Sequence, residues 1–418
     1  MRMIITNRKI MFAGIEILLL LTFLPITQCF PSIIRWSLQI ISIGLFFIGL
    51  LLEKNKKYFL GYLGCILFSF VYVYNVWKFN QSIVTCIFNI MAGFAFVYFG
   101  VVYITQKERE DKYPQKVVAT IVALVIITSV TTIVGLQRYP LAVRELGRVG
   151  SGYSSSGQAF LDLKFKYKLM NIASWSIVYG IVFAVPWFIN QYKDKRKAKY
   201  IIGLIIVLIC LMKAQLTIGI LISVLLVFFS IYKPSKKPKD VLLSIIIVLL
   251  LLMLIIFGDE ILLFVIQLSG NRNLGMLSTK LQDLFYLMQG NQIGDVLARS
   301  ERYTRSLNHF IEHPILGMSI QGVSEYGLFG NHSDFFDILG YYGSFGLIVL
   351  IYMINTYLKD IKRSKSVYSQ WDLFVPLVAL IILFVLNPVW YSPQVFATAI
   401  LLPSCAYLEN YSIRNNII

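Results

Sequence analysis

VVATIVALVIITSVTTIVGL, residues 117–136, runs for twenty positions without a charged side chain. Coiled as a helix rising about 1.5 Å per residue, it spans about 30 Å, the thickness of a bilayer's hydrocarbon layer. Working outward, apolar runs recur at 10–29, 36–52, 58–77 and 82–105 before it. They continue after it at 169–190, 200–212, 218–232, 241–257, 336–358, 373–388 and 394–408. The stretch from Tyr200 to Tyr232 is too long for one crossing, and Lys213, Gln215 and Thr217 mark its turn. The reading is an all-α polytopic membrane protein of about 12 transmembrane helices, with a large, partly helical outer loop between spans nine and ten.

Composition agrees with the runs. Of 418 residues, 57% are hydrophobic and only 14% charged, where a soluble chain carries roughly a quarter. The net charge of +17 resembles that of a nucleic-acid binder until the charges are placed. Most lie in short breaks between apolar runs, where they set topology, so no nucleic-acid partner is expected. Cys29, Cys65, Cys86, Cys210 and Cys405 are scattered singly, which indicates neither a disulfide framework nor a zinc site. The first apolar run follows Arg2, Arg8 and Lys9 and lacks a small-x-small cleavage site, so it reads as a retained span. Glu16 is the acid inside it, more in keeping with a hydrogen-bonded core group than with catalysis.

With an even number of spans both termini share a side. That side holds 24 of the 38 Lys and Arg and the other holds 14, so both termini are expected in the cytoplasm. Two outer segments depart from the rule. Residues 137–168 hold Arg138, Arg144, Arg148, Lys164, Lys166 and Lys168 against Glu145 and Asp162. Such a loop is either a solvated or lipid-headgroup-anchored face, or a surface for an anionic ligand. Residues 258–335 form a 78-residue loop containing all three histidines, long enough to fold over the spans. The chain thus divides into 1–257 with spans one to nine, the outer loop 258–335, and 336–418 with spans ten to twelve.

The large loop carries the candidate chemistry. In RSERYTRSLNHFIEHPILGMSIQG, residues 299–322, Arg299, Arg302, Ser306, His309 and His313 fall at helical steps of three and four. Tyr303, Leu307, Phe310 and Ile311 form an apolar face beside them, which is expected to pack and leave the arginine stripe opposite. Guanidinium groups on such a stripe match phosphate oxygens; an ordinary amphipathic surface helix has the same pattern. NHSDFFDILGYYGSFG, residues 331–346, follows, with His332 at the membrane boundary and Asp334 and Asp337 on one helix face. A histidine there can serve as a general base oriented by a carboxylate, or can simply belong to a capping segment. No H-E-x-x-H, ligand cluster or phosphate loop is present, so neither a metal nor another cofactor is expected.

Arg299, the Pro314-Ile-Leu-Gly317 turn, Asn331-His332-Ser333 and Tyr342-Gly343-x-x-Gly346 together resemble the bacterial O-antigen ligase and polymerase superfamily. Tyr139-Pro140-Leu-Ala-Val-Arg144 resembles the P-x-x-x-R feature of an earlier outer loop in the polysaccharide polymerases of that group. Ser333 stands where Asn is commoner, and the turn between spans seven and eight lacks the Ser-Arg often seen there, with Lys213 the nearest cation. The resemblance implies a metal-independent glycosyltransferase of the bacterial cytoplasmic membrane that acts at its outer face on sugars carried by undecaprenyl diphosphate. It implies Arg144 and Arg299 on the diphosphate, with Arg138, Arg148 and Arg302 in support. His332 would activate the acceptor hydroxyl, oriented by Asp337, with Glu325 an alternative base. A flippase and a chain-length regulator are the implied protein partners. A ligase that transfers finished glycan to a final acceptor, or a flippase for the same lipid, are the alternatives. Tyr326, Phe329, Tyr341, Tyr342, Trp390 and Tyr391 are either an interfacial aromatic belt or sugar-stacking platforms.

Overall fold

The computed structural model describes residues 2–53, 56–77, 83–105, 112–148, 158–232, 266–267, 279, 282, 285–286, 295–319, 332–363 and 371–406. Among these residues every regular element is a helix. They are α1 (Arg2–Phe23), α2 (Ser32–Leu51), α3 (Lys56–Trp77), α4 (Ile83–Thr105) and α5 (Tyr113–Arg138). Next come α6 (Ala142–Arg148), α7 (Gln158–Leu169), α8 (Trp175–Val182), α9 (Val185–Lys195), α10 (Ala198–Ala214) and α11 (Thr217–Ile231). Further along the chain come α12 (Asp295–Glu312), α13 (Asp334–Arg363), α14 (Trp371–Leu386) and α15 (Pro393–Ala406), the last with a π-helical turn at Ala397–Leu401. The expected span 241–257, Gly322, Glu325, Tyr326, Phe329 and Asn331 lie outside the described residues.

Among the described residues four helices are long and apolar enough to cross a membrane by length and composition, within Ser32–Leu51, Ile87–Ile104, Tyr113–Arg138 and Asp334–Lys359. Thr217–Ile231, Trp371–Leu386 and Pro393–Ala406 are apolar but shorter. The outward faces of these helices and of α10 stay greasy: Ile33 is 75% exposed, Ile202 57%, Val224 60% and Ile348 64%. A water-soluble surface does not tolerate apolar residues in this density, whereas lipid does.

The run expected at 169–190 folds as two consecutive helices. Pro186 has no N–H for the Val182 carbonyl, so the helix breaks at Phe183 and Ala184 and restarts as α9. The basic segment before it, expected as loop, is largely helical, as α6 and α7.

Polar contacts gather at two ends of the bundle. At one end Asn7 donates to the Leu52 carbonyl, and Arg8 sits 4.0 Å from Glu53 and over the ring of Tyr103. Lys193 donates to the carbonyls of Ser230 and Ile231, Asn190 to Asp372, and the Trp371 indole to the Phe229 carbonyl. At the other end Thr128 donates to the Phe23 carbonyl, Gln394 to that of Thr22, and Ile26 to the side chain of Asn171. The core between these ends is apolar, including Phe23, Phe96, Phe99 and Phe183.

A candidate active site between α12 and α13

The second end carries the α12–α13 unit. Pro314 to Gly317 form a turn that docks on a break in α13. Gly343 there has φ 59° and ψ −151°, a conformation open essentially to glycine alone. Breaking the helix frees two amides, and the turn takes them: Ser344 N donates to Pro314 O at 2.8 Å and Phe345 N to Ile315 O at 3.1 Å. The Ser344 hydroxyl adds a bond to Pro314 O at 2.7 Å. Gly317 sits so close that a Cβ would lie 2.4 Å from the Tyr341 carbonyl carbon. The two glycine motifs of the sequence are therefore two halves of one backbone contact.

That contact aligns the polar stripe of α12 with the start of α13, and here the expected orientation is corrected. Ser306 is wholly buried, and its hydroxyl donates to Asp337 Oδ1 at 2.6 Å. Tyr303 stacks on Phe336 with centroids 5.2 Å apart and donates to the Leu386 carbonyl. Leu307 and Ile311, expected to pack, are 37% and 65% exposed. The stripe faces inward because α13 offers it a carboxylate and a helix N-terminus, whereas the leucine and isoleucine continue the greasy exterior of Phe345 and Ile348.

Ser333 caps α13, its hydroxyl accepting from Phe336 N and donating to the Phe384 carbonyl. Asp334, fully buried in the first turn, accepts from the amides of Val389 and Trp390, the latter at 2.7 Å. An acid at this position also suits the positive end of the helix dipole. His332, half-buried one residue before the cap, lies against Arg302, whose Nη1 contacts Nε2 and is 3.2 Å from Nδ1. A guanidinium only donates, so the ring nitrogen it meets carries a lone pair and the imidazole is neutral in this pairing.

The structure thus joins Arg302 to His332 and places Asp337 in the same interface, bonded to Ser306. Arg299 lies on α12 and Arg148 on α6, with side chains outside the described residues. Arg144 donates from Nη2 to the Gln215 carbonyl at 3.1 Å, at the C-terminal end of α10. The turn whose own sequence lacks an arginine receives one from α6. Arg138 lies 5.7 Å from the Tyr139 ring centroid, with Lys166 5.6 Å away. The Lys166 hydrogen bond, then Arg138, hold the Tyr139 phenol below its ordinary pKa. Tyr167 donates to Glu145 at 2.6 Å, and its phenol is pushed up by burial and by that carboxylate.

The two groups of residues are linked through packed helices. Gly219 of α11 approaches Tyr179, and Gly180 lies so near Gln394 that a Cβ would be 2.8 Å from its side chain. Gln394 follows the loop that Asp334 holds. Tyr341, Tyr342 and Trp390 are buried, and Trp390 packs edge-on to Phe94 and Phe384, so these three rings serve the core. The sequence shows Ser306 on the polar stripe and Ser333 and Asp334 beside His332, but not the partners that they hold. A serine before an acidic first turn is a legible cap signal, but the partner of Asp334 lies 55 residues on, and no periodicity marks it. No protein-family model matches this chain, and no curated protein and no solved structure matches it.

Proposed function

We propose that the chain is a twelve-span glycosyltransferase of the bacterial cytoplasmic membrane, a polysaccharide polymerase. It moves glycan from undecaprenyl diphosphate onto a lipid-linked repeat unit at the outer face. The observation that carries the reading is Arg302 against His332 at the capped start of a membrane-length helix. In the proposed step His332 accepts the proton of the acceptor hydroxyl as its oxygen bonds to the anomeric carbon. The bond from that carbon to the diphosphate oxygen breaks, and the diphosphate leaves with the electron pair. When the diphosphate binds, Arg302 turns its N–H donors from the ring to the diphosphate oxygens, which frees the one lone pair of His332 for that proton. Arg299 adds charge one turn earlier on the same helix, and Arg144, Arg138 and Arg148 supply cations from the α5–α7 segment. Asp337 and Ser306 position α12 against α13.

The test is the size distribution of lipid-linked glycan in a strain lacking the protein. Single repeat units accumulating on the outer leaflet support a polymerase. Long lipid-linked chains left untransferred make it a ligase, and repeat units trapped on the inner leaflet make it a flippase and overturn the catalytic assignment.

A further inference from the structure

The end of the bundle that holds Arg302 and His332 carries a separate group of cations for which the proposed reaction has no use. Arg35, near the start of α2, and Lys164 and Lys168, one turn apart on α7, converge around the 3-10 turn Pro25–Cys29. That turn is pinned against α7. Cys29 Sγ lies 3.8 Å from the Phe165 carbonyl, Ile26 N donates to Asn171 Oδ1 at 3.3 Å, and Arg35 donates to the Gln28 carbonyl at 3.4 Å. Neither lysine has a hydrogen bond or an ion pair among the described residues. Both are half-buried, and burial brings the amine of each down. Lys168, further depressed by Lys164 and Arg35 and raised by Cys29 alone, falls to about 8. Three cations at close quarters, partly stripped of water, repel one another until an anion joins them.

Apolar surface flanks the cations. Leu161, Phe165 and Leu169 recur at steps of four along α7 and are 46%, 51% and 49% exposed. Ile33 and Ile34, beside Arg35, are 75% and 50% exposed. A helix with an exposed apolar stripe bordered by lysines lies in a bilayer interface, chains against the stripe and phosphates against the lysines. A free phosphate would use the cations and leave the stripe in water.

We infer that Arg35, Lys164 and Lys168 form a docking site for the phosphate headgroup of an anionic phospholipid, whose chains lie along Leu161, Phe165 and Leu169. This rests on the membrane reading and is independent of the reaction proposed above.

The full-length protein is placed in phosphatidylcholine nanodiscs with spin-labelled phosphatidylglycerol or spin-labelled phosphatidylcholine, and the motionally restricted fraction of each label is compared. Wild type should select phosphatidylglycerol. The triple variant R35Q/K164Q/K168Q should lose more than about tenfold of that preference, since each cation at an anionic surface is worth on the order of fivefold. K166Q, whose native side chain lies over Tyr139, should keep it. If the triple variant fails to fold, K164Q alone should lose about fivefold. Equal restriction of both labels by wild type, or undiminished preference in the variants, overturns the site. So does full displacement of the labelled lipid by millimolar inorganic phosphate, or selection of an undecaprenyl diphosphate to the exclusion of phosphatidylglycerol.

Discussion

Arg302 carries two tasks in the proposed site, and substitutions separate them. R302A leaves His332 without its donor and the diphosphate without a cation, so chain growth should fall by about two to three orders of magnitude, the cost of removing one transition-state donor. R302K keeps the charge but not the planar fork and should recover only part of the rate. Chain lengths read on a gel check both, and wild-type lengths in R302A would remove Arg302 from the site. Lys168 allows a prediction in the opposite direction. Its pKa of about 8 in the folded protein lies below the ordinary 10.5. Between those values the unfolded chain binds more protons, so stability rises with pH there, and below 8 the full penalty of the buried charge is present. K168Q in neutral detergent should therefore melt above wild type at pH 7, with the advantage shrinking toward pH 10. A lower melting temperature at pH 7 would show that the charge is already compensated.

The pairing of α12 with α13 depends on two glycines and one serine. A Cβ at Gly343 would meet the Ile315 carbonyl at 2.6 Å, and the backbone there is left-handed. G343A should cost about 1–3 kcal/mol from conformation alone, and it should also dislodge the Pro314–Gly317 turn and abolish activity. S306A leaves Asp337 short of a buried donor and should cost about 1–3 kcal/mol, with S306T retaining the hydroxyl and most of the stability. Melting temperatures in detergent check both, and an unchanged value in S306A would mean that water replaces the hydroxyl. These helices also show what periodicity can and cannot say. Arg302, Ser306 and His309 were legible as one face because helical spacing is local. Which way the face turns was not, because Leu307 and Ile311 look like core residues wherever they stand, and a membrane protein's apolar residues face outward as readily as inward. Gly317 and Gly343 were legible as turn signals, but only their contact, 26 residues apart, explains why both must lack a side chain.

At the scale of the whole molecule the positive charges and the polar contacts make separate statements about one topology. The sequence places residues 7, 52, 103, 193, 230 and 371 on the N-terminal side by counting spans. In the structure Asn7 meets Leu52, Arg8 meets Tyr103, Lys193 meets Ser230 and Trp371 meets Phe229. Residues placed on the other side likewise meet one another, as Cys29 does Phe165, Arg144 does Gln215, and Asp334 does Trp390. Ile231 lies at the first end and α12 at the second. The contacts tell which residues share an end, whereas only the lysine and arginine bias says which end faces the cytoplasm. Cysteine labelling supplies that missing sign. The background needs C29S and C86S first, because Cys29 is half-buried at the end assigned outside and the side chain of Cys86 lies outside the described residues, while Cys65, Cys210 and Cys405 are buried. In that background Q137C, exposed beside Arg138, should react with an impermeant thiol reagent on intact cells, and A198C, exposed at the start of α10, should react only after permeabilisation. The reverse pattern inverts the protein and puts Arg302 and His332 in the cytoplasm, out of reach of an outer-leaflet glycan. Labelling of both from one side would break the alternation of α5 to α10 on which the span count stands.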